Sequence, residues 1–461
     1  MRIDKSIVQK VEHALRFATA EGMAYGAVMG FGDNYIVAFA VALQTSSFLI
    51  GILCSVPGFL ASLAQLWDAA IVRKMKSRKA VVITFALLQG LMFIPMLGLA
   101  FVHNGSVGWW LVLFATIYSI SSALTSPAWG SIMAEVVPEH LRGRYFSFRG
   151  SLSTLSNTIA FLAGGIFLTF LAHKALWGFA ILFGAAFLAR MVSSSLLTQL
   201  YEVPQKDKPV QHASSGNFIH GLFSTNLGRY MLFLFSMSFA VNIASPYFAV
   251  YQLHNLKQSY FVFAALGTAS SVATLLTISR WGRAADRIGN LKVLLMTSVL
   301  IPLVPLLWLF SKNLAYLGIV QAFSGLAWAG FNLCSVNYLY DATAAGERTK
   351  YLGYFNCGNG LAAGLGALLG GYLMTHVPAF MGFQVLTVFL ISGILRAASA
   401  AIFLPLLKEV RRVSTVPAAE LFHILTGGRP ADRRFSHRRF SLIHHHEPAT
   451  SETSKSGSVN D

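Results

Sequence analysis

The sequence predicts an all-α polytopic membrane protein with twelve transmembrane helices in two six-helix bundles. Three observations carry that prediction. Only 11% of the 461 residues are charged and the mean hydropathy is +0.59, whereas a soluble domain carries about 25% charged residues. Apolar stretches of roughly 20 residues, long enough to cross about 30 Å of hydrocarbon as helices, recur through the chain. Short charged patterns also repeat between the two halves.

In order, apolar segments fall at about 15–42, 46–68, 79–102, 108–134, 145–172 and 176–200, giving a first bundle over residues 1–200. Residues 201–228 contain EVPQKDKPVQHASSGN, rich in Pro, Lys, Gln and Ser, and read as a cytoplasmic linker. Further segments at about 229–254, 259–280, 291–311, 314–340, 351–375 and 380–406 give a second bundle over 229–407. Residues 408–461 form a basic, serine-rich tail, expected to be largely disordered and cytoplasmic. A short amphipathic piece near 418–425 could lie on the membrane surface. The adjacent His444, His445 and His446 in such a tail make no defined metal site.

The formal charge of +17 raises nucleic acid as a partner, but its distribution argues against one. Alternate connections hold sixteen Lys and Arg on one side, among them Arg73, Arg142, Arg283 and Arg348, against Lys174, Lys257 and Lys312 on the other. The richer side, with both termini, is therefore expected in the cytoplasm, and anionic membrane lipids are the partners this charge would meet. A plasma membrane, or the inner membrane of a bacterium, is the expected location. Cys54, Cys334 and Cys357 all fall within apolar segments and offer neither a disulfide framework nor a metal site. No GxxxxGK[ST] loop is present to cradle nucleotide phosphates, and no cofactor is expected.

An internal repeat supports duplication. Glu135, Arg142, Arg144 and Tyr145 recur as Asp341, Arg348, Lys350 and Tyr351, each at an offset of 206. A third pattern lies between the eighth and ninth segments, read as a loop from Trp281 to Lys292. Gly282, Asp286, Arg287, Gly289 and Lys292 spell G-x-x-x-D-R-x-G-x-x-K. This resembles the short cytoplasmic loop signature of the major facilitator superfamily, and the resemblance covers the chain to about Leu407.

The resemblance implies two bundles around a central cavity, alternating between inward- and outward-facing states, in a chain that works as a monomer. It implies a cytoplasmic gate built from Gly282, Asp286, Arg287, Gly289, Glu135, Arg142, Asp341 and Arg348. Asp286 would cap a neighbouring helix, Arg287 would reach Asp341 when that side closes, Gly282 would allow close helix approach and Gly289 a tight turn. The equivalent first-half connection departs from the pattern. It has Arg73 in place of the acid and Lys76 in place of the glycine, so a capping anion is expected to be missing and the two gates unequal. The fifth segment has Gly164-Gly165 without the proline of the drug-exporter signature. Both departures suggest a divergent branch of twelve-span permeases.

Ionisable groups at membrane depth are costly unless they face a cavity or a partner, which makes each a functional candidate. The first segment carries Glu21 and, twelve residues on, Asp33 and Asn34. Ideal helix geometry separates the two acids by about 18 Å and about 120°, as two ends of one path rather than a shared site. Arg149 lies at a depth comparable to Glu21 and is expected to pair with it, while Arg190 and Arg396 read as structural. Pro246 is expected to interrupt the seventh helix beside Asn242. Asn157, Trp328, Asn332 and Asn356 are candidate cavity-lining groups. These features suggest a secondary transporter of a small organic solute, coupled to protons. A lipid or lysolipid flippase on the same scaffold competes with it, followed by a membrane-embedded acyltransferase-type enzyme and a non-transporting receptor.

Overall fold

The computed structural model describes residues 5–102, 104–137, 142–202, 224–343 and 348–410. The linker residues 203–223 and the tail from 411 onward, including the histidine run, lie outside them. Residues Met1–Ser414 belong to one compact unit. Eleven helices are long and apolar enough to cross a membrane. The first span supplies the twelfth crossing as Lys5–Val28, a π-helical turn Met29–Asp33, and Asn34–Ala42. Among the described residues there is no strand beyond an isolated bridge between Phe380 and Phe383.

The remaining first-half spans are Ser47–Ala64, Arg78–Phe101, Val107–Val136, Tyr145–Phe170 and Ala172–Leu197. The second half follows with Asn226–Asn255, Tyr260–Ile288, Asn290–Leu307, Leu314–Asp341, Gly353–His376 and Gln384–Leu406. Local chemistry sets several of the starts. Ser46, Ser77, Thr225 and Ser259 each stand one residue before a helix and accept the backbone N–H three residues on. Asn313 does the same for the tenth span. Each cap satisfies a helix-terminal donor that the helix itself cannot.

The stretch from Trp281 to Lys292 is not a loop. The eighth helix continues to Ile288, the ninth begins at Asn290, and only Gly289 separates them. The reason is amphipathic spacing: Trp281, Ala284, Ala285 and Ile288 fall at helical intervals of three and four residues and are all buried. Arg283, Asp286 and Arg287 occupy the exposed face.

The two halves meet along the second and eleventh spans and along the fifth and eighth. The first of these runs the length of the second span, from Ser62 against Gly360 near the basic end to Gly51 against Gly371 at the end opposite it. There the Tyr247 hydroxyl donates to Ser47 O at 3.3 Å, and Phe261 N donates to the Thr169 hydroxyl at 2.8 Å. Tyr35, Phe161 and Phe263 stack between them, in a single hydrophobic core that draws on both halves. Toward the basic end the packing changes. A separate core around Ala18, Val82 and Ile132 belongs to the first half alone, and Gly130, Gly150 and Gly353 have open space where a side chain would be. The core shared by the two halves thus lies toward the apolar end, where residues of both halves also line a cavity of ≈ 1070 Å³.

Candidate functional site

The first span packs backbone against backbone on the fifth. A side chain on Gly26 would strike Ser153 O, and one on Gly30 would strike Asn157 O and the Ala160 methyl. That close approach brings long polar side chains within reach of each other. Arg149 donates from Nη2 to Glu21 Oε2 at 2.6 Å and from Nε to Ala18 O at 2.9 Å. The expected Glu21–Arg149 pair is therefore formed. Its guanidinium lies 4.2 Å from the centre of the Trp129 ring, a geometry attractive to a cation.

Glu21 also has a second arginine, which overturns the structural reading of Arg190. The Ser193 hydroxyl donates to Glu21 Oε1 at 3.0 Å, Arg190 Nη1 donates to Ser193 Oγ at 2.9 Å, and Arg190 itself stands 4.0 Å from the same carboxylate oxygen. Arg190 is 2% exposed and its guanidinium lies 4.9 Å from the Tyr25 ring. Glu21, Tyr25, Ser122, Thr125, Trp129, Arg149 and Arg190 share a cavity of ≈ 270 Å³. The sixth span thus contributes directly to the polar interior. A signal existed in the sequence, since Arg190 and Ser193 sit one helical turn apart on an otherwise apolar span.

Asp33 ends the π turn, in which Asn34 N–H returns to Met29 O, five residues back. A π turn advances less around the axis per residue than an α turn. The separation of about 120° expected from ideal geometry is consequently reduced, and Arg190 becomes a charged neighbour of Asp33 as well as of Glu21. Tyr25 and Tyr118 are the other titratable groups facing Asp33. Asp33 Oδ1 and the Tyr118 hydroxyl are both buried and face each other, short of a well-formed hydrogen bond. Asn34 and Asn157 come together, with Asn34 Nδ2 donating to Asn157 Oδ1 at 3.0 Å, so both hold the first span to the fifth.

The second half contains a counterpart. Arg396 and Ser399 repeat Arg190 and Ser193 at the offset of 206. The Ser399 hydroxyl pairs with Ser236, in the role that Glu21 plays toward Ser193. Arg396 donates instead to Ser392 Oγ at 3.0 Å, Val241 O at 3.3 Å and Ile301 O at 3.4 Å. Among the described residues no carboxylate stands within 4.0 Å of it. Pro246 does interrupt the seventh helix, which ends at Ala244 and resumes at Tyr247, because proline has no N–H to return to the Asn242 carbonyl. Asn242 Nδ2 itself bonds back to Ser238 O at 2.9 Å. Trp328 packs edge-on against Phe331, and Asn332 and Asn356 are exposed. The structure does not bring these three onto the Glu21 cavity.

At the basic end, Arg78 makes a two-pronged contact with Glu135, at 2.9 and 2.7 Å. Glu202 accepts from the Ser77 hydroxyl and Arg78 N, both at 2.7 Å, and from Lys79 N at 3.4 Å. The expected loss of a capping anion in the first half is therefore wrong. Glu202, beyond the sixth span, supplies the cap that the connection itself lacks. Partial burial raises its pKa, but the Ser77 hydroxyl, the two backbone N–H groups and the Arg78 charge outweigh this and hold it below the ordinary carboxylate value. In the second half Glu409 accepts from Leu291 N at 2.8 Å and crowds Gly289, while Asp341 accepts from Asn290 Nδ2 at 2.7 Å. Neither glutamate was found from the sequence, although each precedes a valine just past the last span of its half.

Arg287 does not hold Asp341 in this structure. It is exposed in the last turn of its helix, whereas Asn290 is buried beside that acid. Gly289 does make the tight turn, at φ +96°. Gly282 is not needed for close packing here, because a side chain would meet only Leu333 Cδ2 at 3.7 Å. Lys76, which replaces the glycine in the first half, takes the left-handed conformation at φ +54°. Asp286 is exposed. The Arg142 and Arg348 side chains lie outside the described residues.

The profile of the Major Facilitator Superfamily matches residues 22–264 and 230–444. Among solved structures, a mutant of the nucleoside transporter NupG is similar over 87% of this chain and 100% of its own, at 16% identity and a TM-score of 0.67. The inward-open xylose transporter XylE from E. coli covers 87% and 97%, at 15% identity and a TM-score of 0.64. A D-xylose-proton symporter covers 87% and 99%, at 14% identity and a TM-score of 0.63. No curated protein sequence was found to match the chain.

Proposed function

The chain belongs to the Major Facilitator Superfamily, a transporter and not an enzyme, and on that premise we propose that it moves a small organic solute by alternating access, coupled to protons. The observation that carries the reading is the pair of buried carboxylates on one broken span, Glu21 and Asp33, which share Arg190 as a charged neighbour, with Glu21 lining a polar cavity. Buried charges of this kind are expensive to keep in a membrane and mark a site of function. Glu21 is held by Arg149 and Ser193 and acts as a fixed counter-charge. Asp33, at the end of the π turn with its Oδ1 buried beside the Tyr118 hydroxyl, is the group that gains and loses the proton. A D-xylose-proton symporter shares the fold at 14% identity, which supports the scaffold alone. The coupling argument rests on the acids.

Cation-rich connections favour the cytoplasmic side, so the basic end and both termini face the cytoplasm, and the apolar end, where the halves share a core, faces outward. That shared core, with a first-half core standing by itself at the basic end, supports an inward-facing state. Residues 1–200 and 229–407 rock about the contacts between the second and eleventh and the fifth and eighth spans. The charged contacts around Glu135, Asp341, Asp286 and Arg287 regroup as the cytoplasmic end shuts.

The test is solute-driven proton movement in proteoliposomes, screened against a metabolite panel. A transported solute should drive proton flux in the wild type, and Asp33→Asn should keep solute exchange while losing its dependence on an imposed pH gradient. An unchanged pH dependence removes Asp33 from coupling, and the absence of any solute movement refutes the transport reading.

A further inference from the structure

The charge and hydrogen-bond balance of the Glu21 cavity specifies what it lacks. Two guanidinium groups, Arg149 and Arg190, line it with one carboxylate, Glu21, shared between them. Arg cannot shed its proton under ordinary conditions, and Glu21 receives two short donated bonds, from Arg149 at 2.6 Å and Ser193 at 3.0 Å. The lining therefore carries one excess positive charge, which Asp33 beside Arg190 balances only while its carboxyl is ionised. The unsatisfied groups have the same polarity. Arg190 Nε is buried without a partner on a side chain 2% exposed, and Trp129 Nε1 is also buried without one. Both are donors only. Neither atom has accessible surface, so both set the polarity of the wall without touching a ligand. The aromatic faces of Trp129 and Tyr25 are occupied by the guanidinium groups at 4.2 and 4.9 Å, which fixes the two cations in place instead of leaving them mobile. The hydroxyls of Ser122, Thr125 and Ser126 complete the lining.

We propose that this cavity takes the acidic group of an organic anion, a carboxylate or a phosphate monoester, and that the transported solute is of that class. The inference rests on the transporter reading above and deepens it. Neutral polyols satisfy the donors but leave the excess charge, and cations meet it as repulsion. The anion seats between Arg149 and Arg190, and the hydroxyls of Ser122, Thr125 and Ser126 offer it donors.

A cysteine placed at Ser126, an exposed residue of the lining, reports the local charge without a known substrate. The full chain carrying Ser126→Cys is reconstituted in proteoliposomes and treated with anionic and cationic methanethiosulfonate reagents. Each rate is normalised to reaction with free cysteine, and the background of the natural cysteines is subtracted using the chain without the change. The anionic reagent should react about 10-fold faster than the cationic one, as a focused field favours its counter-ion. Benzoate or phenyl phosphate should slow that labelling, and benzamide and phenol should not. Protection by benzoate alone assigns a carboxylate, and by phenyl phosphate alone a phosphate monoester. Equal rates, a faster cationic reagent, no protection by either acid, or equal protection by the neutral partners overturns the substrate class and leaves transport standing. Failure of both reagents to reach the cysteine from either side overturns the transport reading itself.

Discussion

The two halves of the molecule carry the same arginine and the same serine at an offset of 206, and use them differently. In the first half Arg190 and Ser193 converge on Glu21 beside a polar cavity. In the second, Ser236 stands in the acid's place, and Arg396 spends its donors on Ser392 and on the carbonyls of Val241 and Ile301. Val241 lies just before the break that Pro246 makes in the seventh helix. A cation close to a helix C-terminus is favoured by the dipole, and the Ile301 carbonyl it also meets is one that Pro305, lacking an N–H, leaves over in the ninth span. One duplicated arginine thus serves ion chemistry in one half and the support of a broken helix in the other. What separates them is a single carboxylate.

The largest effect should come from removing that carboxylate. Glu21→Gln takes from Arg149 its carboxylate partner and leaves buried Arg190 with Asp33 alone, and should cost about 3–5 kcal/mol, read as a large fall in the melting temperature of the purified chain. If it melts like the wild type, the first half does not depend on its ion pair and the contrast collapses. Arg396→Met tests the other side. It removes no partner from a carboxylate but strips donors from two carbonyls, and should cost about 1–3 kcal/mol. A loss as large as that of Glu21→Gln would mean that Arg396 has an ionic role after all.

The basic end gives a smaller comparison. The Glu202 pKa lies below its unfolded value, so its contribution is fully present above the ordinary carboxylate pKa and is lost as pH falls through the folded value. Glu202→Gln should lower stability by about 1 kcal/mol at neutral pH, the usual size of a helix cap. It should also flatten the acid side of the stability profile, which thermal melts from neutral to acid pH would show. The smallest effect concerns the two turns. Lys76 holds φ +54° where the second half has Gly289 at φ +96°. Lys76→Gly relieves that backbone and should change stability by less than about 1 kcal/mol. A pronounced loss would show that the Lys76 side chain, and not its backbone, holds the first-half turn.

Much of this was legible in the residues. Apolar length gave the spans, and the offset of 206 at Glu135 and Asp341 marked the duplication. Glu21 and Arg149 were paired from depth alone, which worked because membrane helices run at known rise and cross at similar levels. Asp33 was placed wrongly around its helix, because the π turn at Met29–Asp33 alters the phase that ideal geometry assumes. Arg190 was missed for a related reason. A position on the sixth span was taken to mean exclusion from the interior, whereas the first span packs on the sixth as well as on the fifth, with Gly32 against Ala186, and Glu21 reaches Arg190.

The sequence by itself determined the class, the number of crossings and the duplicated plan. These depend on hydropathy and spacing, which are summed along the chain and survive any packing detail. Only the tertiary structure decided which charges share a site. Glu21 meets Arg149 across 128 residues and Ser193 across 172, and Glu202 caps a helix that starts 124 residues earlier. Such meetings depend on the rotation of one helix against another, where a single wide turn or a single glycine contact moves a side chain from one partner to the next.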